Sequence, residues 1–259
     1  MKKLIFIALM VCTVGSVWAQ QKPAAVEELV YSGYYNWGIF WMRAGTVKFT
    51  VSPSEKYPGA VELQAIGTSL PSWDWVFKLR DTLTSHFNPD NFLPYEFSRK
   101  AHEGSYHKTF DYTVDYDSMR VYGETHKIGK YFRKDTIPLQ PLTYDMLSVA
   151  WMAREINFDT LSPKELIPIR ILIDNKIYDL YIRYQGLDKV RVGGKKRECY
   201  VFSPLLVEGD VFKGGENMKI WVSKDEHRIP LMVEAKILVG SVKGILEPAD
   251  SKYLSLIHI

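Results

Sequence analysis

The strongest constraint on this chain is a rhythm of two. Val47, Phe49 and Val51 alternate with Lys48 and Thr50, and Val61, Leu63 and Ala65 alternate with Glu62 and Gln64. Between the two runs lie Ser52-Pro53-Ser54 and Tyr57-Pro58-Gly59, residues that stop strands and make turns. Alternation puts successive side chains on opposite faces of an extended strand, so one face can be buried while the other stays wet. Ile167–Ile173 and Ile177–Tyr184 flank Asp174-Asn175-Lys176, and Val190–Val192 and Cys199–Phe202 flank Gly193-Gly194. Both read as hairpins. No strand–helix–strand alternation recurs, so a parallel sheet is not expected. The expectation is a mainly β fold, a large curved antiparallel sheet built as a half-barrel or a sandwich.

One segment breaks the rhythm. Residues 143–157, TYDMLSVAWMAREIN, place Met146, Leu147, Val149, Ala150, Trp151, Ala153 and Ile156 around most of a helical circumference. Thr143 suits the N-cap, Asp145 the first turn and Arg154 the C-terminal end. A buried helix over 143–157, packed into the sheet's concavity, is therefore expected. It divides a single β-rich domain, 20–253, into two candidate β units, 28–140 and 158–246. A weak echo supports the division, because Pro94 after Asn91-Phe92-Leu93 and Pro230 after His227-Arg228-Ile229 each open an alternating run.

Residues 69–89, SLPSWDWVFKLRDTLTSHFNP, pose a question of charge. Read with period two, Trp73, Trp75, Phe77, Leu79, Asp81, Leu83, Ser85 and Phe87 share one face, and Asp81 is its only carboxylate. At ~3.3 Å per residue such a strand would reach about 50 Å, so it must bend, bulge or begin after the tryptophans. The next run places Tyr95, Phe97, Arg99 and Ala101 on its apolar face, beyond the turn-forming Asn88-Pro89-Asp90-Asn91. Matching the apolar faces sets Leu83 opposite Phe97, Ser85 opposite Tyr95 and Asp81 opposite Arg99. A hydrogen-bonded Asp–Arg pair is tolerable where an unpaired carboxylate would be costly. The structural reading is a register-setting ion pair; the functional one is a pair that orients a polar headgroup.

The ends of the chain bear on compartment. Lys2 and Lys3, the apolar Leu4–Val14 and the small-x-small Val17-Trp18-Ala19 have the layout of a secretory signal over 1–19. An exported, periplasmic protein is expected. Lipid attachment at Cys12 is the rival reading, against which the bulky Val11 stands. No later segment is long and apolar enough for a spanning helix. Losing Lys2 and Lys3 leaves 31 basic residues against 30 acidic, near neutrality, which gives a nucleic-acid partner no electrostatic support. Only Cys199 would remain, so no intramolecular disulfide can form and the fold must rest on its core. At the other end, residues 254–259 are what CTGTCTCTTATACACATC encodes, which resembles the end of a transposase sequencing adapter. This tail is expected to be non-native.

Motifs that carry chemistry are few. His102-Glu103 and His107 suggest zinc, but the spacing is five and period two puts the histidines on opposite faces. Asp111, Asp115 and Asp117 read as solvated carboxylates in a strand–turn–strand, and Cys199 as a small buried thiol. No nucleophile elbow, phosphate loop or dinucleotide fingerprint is present, so neither a catalytic residue nor a cofactor or metal is assigned. The run Tyr31, Tyr34, Tyr35, Trp37, Phe40 and Trp41 serves core and turn packing or lines an apolar cleft.

Four stretches taken together have a familiar order: YYNWGIFWMRAGTVKFTV, WDWVFKLRDTLTSHF with LPYEFSRKAHEGSY, YDMLSVAWMARE, and IWVSKDEHRIPLMVEAKILVGSVKGIL. Over Glu28–Leu246 the chain resembles domain-of-unknown-function family 3108, exported bacterial proteins with no assigned activity. That resemblance carries no catalytic residues. A looser likeness, in fold alone, is to periplasmic half-barrel lipoprotein carriers, which curve a sheet around an apolar cavity with a helix as plug. The leading expectation is a non-catalytic envelope protein that binds an apolar or lipidic ligand. Trp73, Trp75 and Phe77 would line the site and Asp81 and Arg99 would lie near a headgroup. A scaffold that binds an envelope protein is the second reading, and an envelope hydrolase the third.

Overall fold

The computed structural model describes residues 27–37, 40–75, 77–208 and 213–252. The expected leader over 1–19, Cys12 and the tail over 254–259 lie outside the described residues. Eight strands come first: β1 (Glu27–Trp37), β2 (Phe40–Pro53), β3 (Val61–Ser69), β4 (Arg80–Phe87), β5 (Pro94–Glu103), β6 (Tyr106–Asp115), β7 (Arg120–Lys127) and β8 (Tyr131–Pro138). Each pairs antiparallel with the next, as the alternation and the intervening turn residues dictate. A linking segment follows, with β9 (Thr143–Tyr144), helix α1 (Ser148–Met152) and 3-10 turns at Ala153–Glu155 and Phe158–Thr160. The chain then runs through β10 (Leu166–Ile173), β11 (Lys176–Val192), β12 (Lys195–Pro204), β13 (Leu206–Glu208), β14 (Lys213–Gly215), β15 (Met218–Ser223), β16 (Pro230–Lys236) and β17 (Ser241–Leu246).

Fifteen of these strands form one sheet, in the order β8-β7-β6-β5-β4-β3-β2-β1-β17-β16-β15-β12-β11-β10-β9, and β13 and β14 pair separately. The first and last of the described strands lie side by side in the middle, with Tyr31 opposite Leu246. Both edges therefore come from the middle of the chain. Only residues 139–142 separate edge β8 from edge β9, a link that spans at most about 18 Å at ~3.6 Å per residue. The sheet must curl until its edges approach, although it does not close into a barrel. The β10–β11 turn reaches across the gap: the Asn175 N–H donates to the Tyr112 hydroxyl at 3.0 Å, and its side-chain amide donates to Asp135 Oδ2 at 2.8 Å. Asp174 and Asn175 make this possible by adopting φ of +48° and +64°, the left-handed pair of a type I′ hairpin turn.

The linking segment fills the space the curl creates. Leu147 and Trp151 join a cluster with Leu29, Val51, Leu63, Phe87, Phe97 and Val121, while Ala153 and Phe158 join a second with Ile169, Ile182, Tyr184 and Phe202. The segment thus lies between two packed faces, which accounts for its apolar circumference. It is not the continuous helix expected over 143–157. Thr143 is drawn into β9 beside Arg170, the one parallel pairing among the described strands, and its hydroxyl donates to the Gln140 carbonyl at 2.7 Å instead of capping a helix. Asp145 takes that part, its Oδ1 accepting the Leu147 and Ser148 N–H groups at 2.7 and 2.9 Å. Past Met152 the backbone tightens to 3-10 geometry, placing Arg154 in a two-pronged ion pair with Glu27 at 2.8 and 3.2 Å. The two charged side chains are 4% and 1% exposed, so this pair fastens the plug to β1 inside the core.

Candidate functional site

Asp81 and Arg99 meet, though not in the register expected from the sequence. Leu83 faces Arg99 and Ser85 faces Phe97, a slip of two residues from the pairing of Asp81 with Arg99 and Ser85 with Tyr95. An irregularity between His86 and Phe87 and a turn that puts Phe92 at φ +60° absorb the difference. A slip of two keeps every side chain on its face. Arg99 therefore reaches Asp81 diagonally, Nη2 donating to Oδ2 at 3.0 Å and also to Glu103 Oε1 at 2.6 Å. The backbone N–H of His102 donates to the other Asp81 oxygen at 3.0 Å. Asp81 is a buried carboxylate with its donors supplied by β5, the arrangement that makes such a charge affordable.

Trp73, Trp75 and Phe77 do not line the inner face. Strand β4 begins only at Arg80, and Pro71–Trp73 forms a 3-10 turn. The connection is pinned by polar bonds: Ser69 Oγ donates to Asp74 Oδ1 at 2.5 Å, Arg80 Nη2 donates to Asp74 Oδ2 at 2.7 Å, and the Leu70 N–H donates to the Ala44 carbonyl at 2.8 Å. The Ser69 hydroxyl and the Arg80 guanidinium hold the Asp74 carboxyl below its ordinary range. Trp73 packs edge-on against Tyr35, its ring centroid 6.3 Å away. Trp75 is 85% exposed and Phe77 53%.

Those two side chains have neighbours of the same kind. The β1–β2 hairpin presents Phe40 at 67% exposure with Trp41 beside it, and the β16–β17 turn presents Leu238 and Val239, the latter at 73%. The three connections touch: Asn36 lies opposite both Trp41 and Ser241, and the Tyr35 hydroxyl donates to the Val239 carbonyl at 3.2 Å. Further along the same end, the β7–β8 connection adds exposed Ile128, Tyr131 and Phe132. We call this the aromatic end of the sheet. Single exposed apolar residues are ordinary, whereas several of them on adjoining loops are not. Leu238 and Val239 escaped the sequence reading because two apolar residues beside a strand look like more strand.

The remaining constellations are structural. His102 and His107 face each other across the β5–β6 hairpin with rings stacked 4.6 Å apart, not on opposite faces as expected. The turn reverses the chain, so an even-numbered residue opposes an odd-numbered one and the parity argument fails across it. Among the described residues no group of three His, Cys, Asp or Glu side chains is placed to hold a metal. Cys199 is fully buried, and burial pushes its thiol up to about 11, which keeps it protonated and unreactive near neutrality. Burial likewise pushes Asp145 up to about 6, against the opposing hydrogen bonds from Ser85, Ser148 and Leu147. Asp115 anchors the β6–β7 turn by accepting the Asp117 and Ser118 N–H groups, both at 3.0 Å. No helix among the described residues is long and apolar enough to cross a membrane.

A family model described as "Protein of unknown function (DUF3108)" matches residues 30–247. No curated protein matches the sequence. A solved structure with the same fold is a beta-barrel-like protein of domain of unknown function DUF1849 from Brucella abortus. It aligns with a TM-score of 0.59 at 8% identity, over 90% of this chain and 99% of that one.

Proposed function

The chain belongs to the DUF3108 family, and from that premise we propose that it is an exported, non-catalytic binding protein that takes an apolar or lipidic ligand at its aromatic end. The observation that carries this reading is the exposure of Phe40, Trp41, Trp75, Phe77, Leu238 and Val239 on three connections at one end of the sheet. None of them is needed to fill the core, and a loop pinned by Ser69, Asp74 and Arg80 holds Trp75 and Phe77 out in solvent. Tryptophan beside aliphatic side chains suits the boundary between apolar tails and water. Inside the sheet, the plug segment and the facing strands pack large side chains against one another.

Native mass spectrometry of the mature protein purified from an envelope fraction, followed by solvent extraction, tests this. A stoichiometric lipid or other apolar adduct, lost in Trp75→Asp while the fold is retained, is the expected result. A bare protein mass together with a specific crosslink from position 75 to an envelope protein would replace this reading with that of a scaffold.

A further inference from the structure

Next to the aromatic end, the core-facing side of β5–β8 carries two lysines that no carboxylate pairs with among the described residues. Arg99 shares its face with Phe97 and Ala101, Lys108 with Phe110 and Tyr112, Lys127 with Val121 and Thr125, and Arg133 lies opposite Thr125. Asp81 and Glu103 are engaged by Arg99, Asp135 by Arg133 and the Asn175 amide, and a fourth carboxylate, Asp174, lies near Tyr112 at the turn that crosses the gap. Lys108 and Lys127 remain. They are directly opposite one another in the β6–β7 register, half-buried, and neither forms an ion pair among the described residues. Like charges facing across a strand pair destabilise a sheet. Their ammonium groups diverge accordingly: Lys108 Nζ lies 4.0 Å from the centroid of Phe110, on the inner side of position 108, and Lys127 Nζ lies 4.6 Å from that of Tyr106, on the outer side.

We propose that Lys108 and Lys127 are the headgroup site for a phosphate-bearing amphiphile whose apolar part lies on the aromatic end. This rests on the functional reading given above and adds the chemical class of the ligand. Two lysines on flexible stems are point charges that can swing together onto one phosphate, with three donors each. Aromatic faces hold both cations at small cost. Exposed Ile128, Tyr131 and Phe132 follow Lys127 directly, so a tail leaving this site meets apolar side chains at once. Glutamate at either position would give a cross-strand ion pair instead, and the chain has lysine at both.

Isothermal titration calorimetry with dodecyl phosphate, dodecyl maltoside and inorganic phosphate, each amphiphile below its aggregation concentration, tests the assignment on the wild type and on Lys108→Gln/Lys127→Gln. Dodecyl phosphate is expected to bind the wild type at least tenfold tighter than dodecyl maltoside, and the double variant to bind both alike. Equal binding of the two amphiphiles to the wild type overturns the headgroup site and leaves the apolar-ligand reading standing. Binding of inorganic phosphate as tight as that of dodecyl phosphate, abolished in the variant, leaves an anion site but overturns the amphiphile. A preference for dodecyl phosphate that survives in the variant also overturns it. The single variant Lys108→Glu separates this from a structural role: the sheet should melt at the same temperature or higher while the preference for dodecyl phosphate is lost.

Discussion

The two ends of the curved sheet are made from the same strands and could hardly be less alike. At one end the connections are closed by side chains bonding to backbone. Ser54 Oγ accepts the Tyr57 N–H at 3.0 Å, Asn88 Oδ1 accepts the Asp90 N–H at 2.8 Å, and Asp225 Oδ1 accepts the His227 N–H at 3.1 Å. Behind these turns lie Asp145 and the Glu27–Arg154 pair, both buried. At the aromatic end, the bulky apolar side chains of Phe40, Trp41, Trp75, Phe77, Leu238 and Val239 project instead. A turn needs Gly, Asn, Asp or Ser for its geometry, and nothing in that geometry asks for tryptophan. The difference separates an end closed by polar turns and buried charges from an end whose large apolar side chains lie in solvent.

Substitutions can break that contrast or sharpen it. The largest effect belongs to the polar end: Arg154→Met strands the Glu27 carboxylate in the core and should cost about 3–5 kcal/mol in urea unfolding. Replacing both partners by apolar residues should recover much of that loss. Asp145→Asn comes next. Its carboxyl is raised from 3.8 to about 6 in the folded chain. A raised acid contributes stability below its unfolded value and loses it as pH rises through its folded value. Wild-type stability should therefore fall by roughly 3 kcal/mol from this group between about pH 4 and pH 6. Urea midpoints of the asparagine variant across that window should lack the slope. Asp81→Ala, which deprives Arg99 and the His102 N–H of their acceptor, should cost roughly 1–3 kcal/mol. The smallest effect should come from the aromatic end, where Trp75→Ser or Val239→Ser should move stability by no more than about 0.5 kcal/mol. A larger loss there would mean that these side chains support the fold, and the contrast would collapse.

What was legible in the sequence followed from local rules. Period two revealed the strands, Asp174-Asn175 and Gly193-Gly194 sit at positive φ in the turns where they were expected, and Pro94 and Pro230 each open a strand. The pattern assigned Asp81 and Arg99 to one face but missed their register by two, because alternation sets the face and is blind to an even slip. Helical periodicity found the plug without its ends, since the sheet edge claims Thr143 and Tyr144 for pairing with β10. The partnership of Arg154 with Glu27 was invisible because 127 positions separate them and no local pattern links them. Trp75 and Phe77 looked buried only while their segment was read as strand.

The pairing of β1 with β17 at the centre of the sheet sets an order of assembly. Each of the first eight strands finds its partner next door in sequence, so that half can zip up from local hairpins. The join between Tyr31 and Leu246 instead brings together the two ends of the chain, the kind of distant contact that slows folding. As the chain folds, the outward edge of β1 must wait, unpaired, for β17. An unpaired edge is a template for another chain. The most hazardous moment in the life of this molecule is therefore the interval before β17 arrives, and a chain cut short of Ser241 would never leave it.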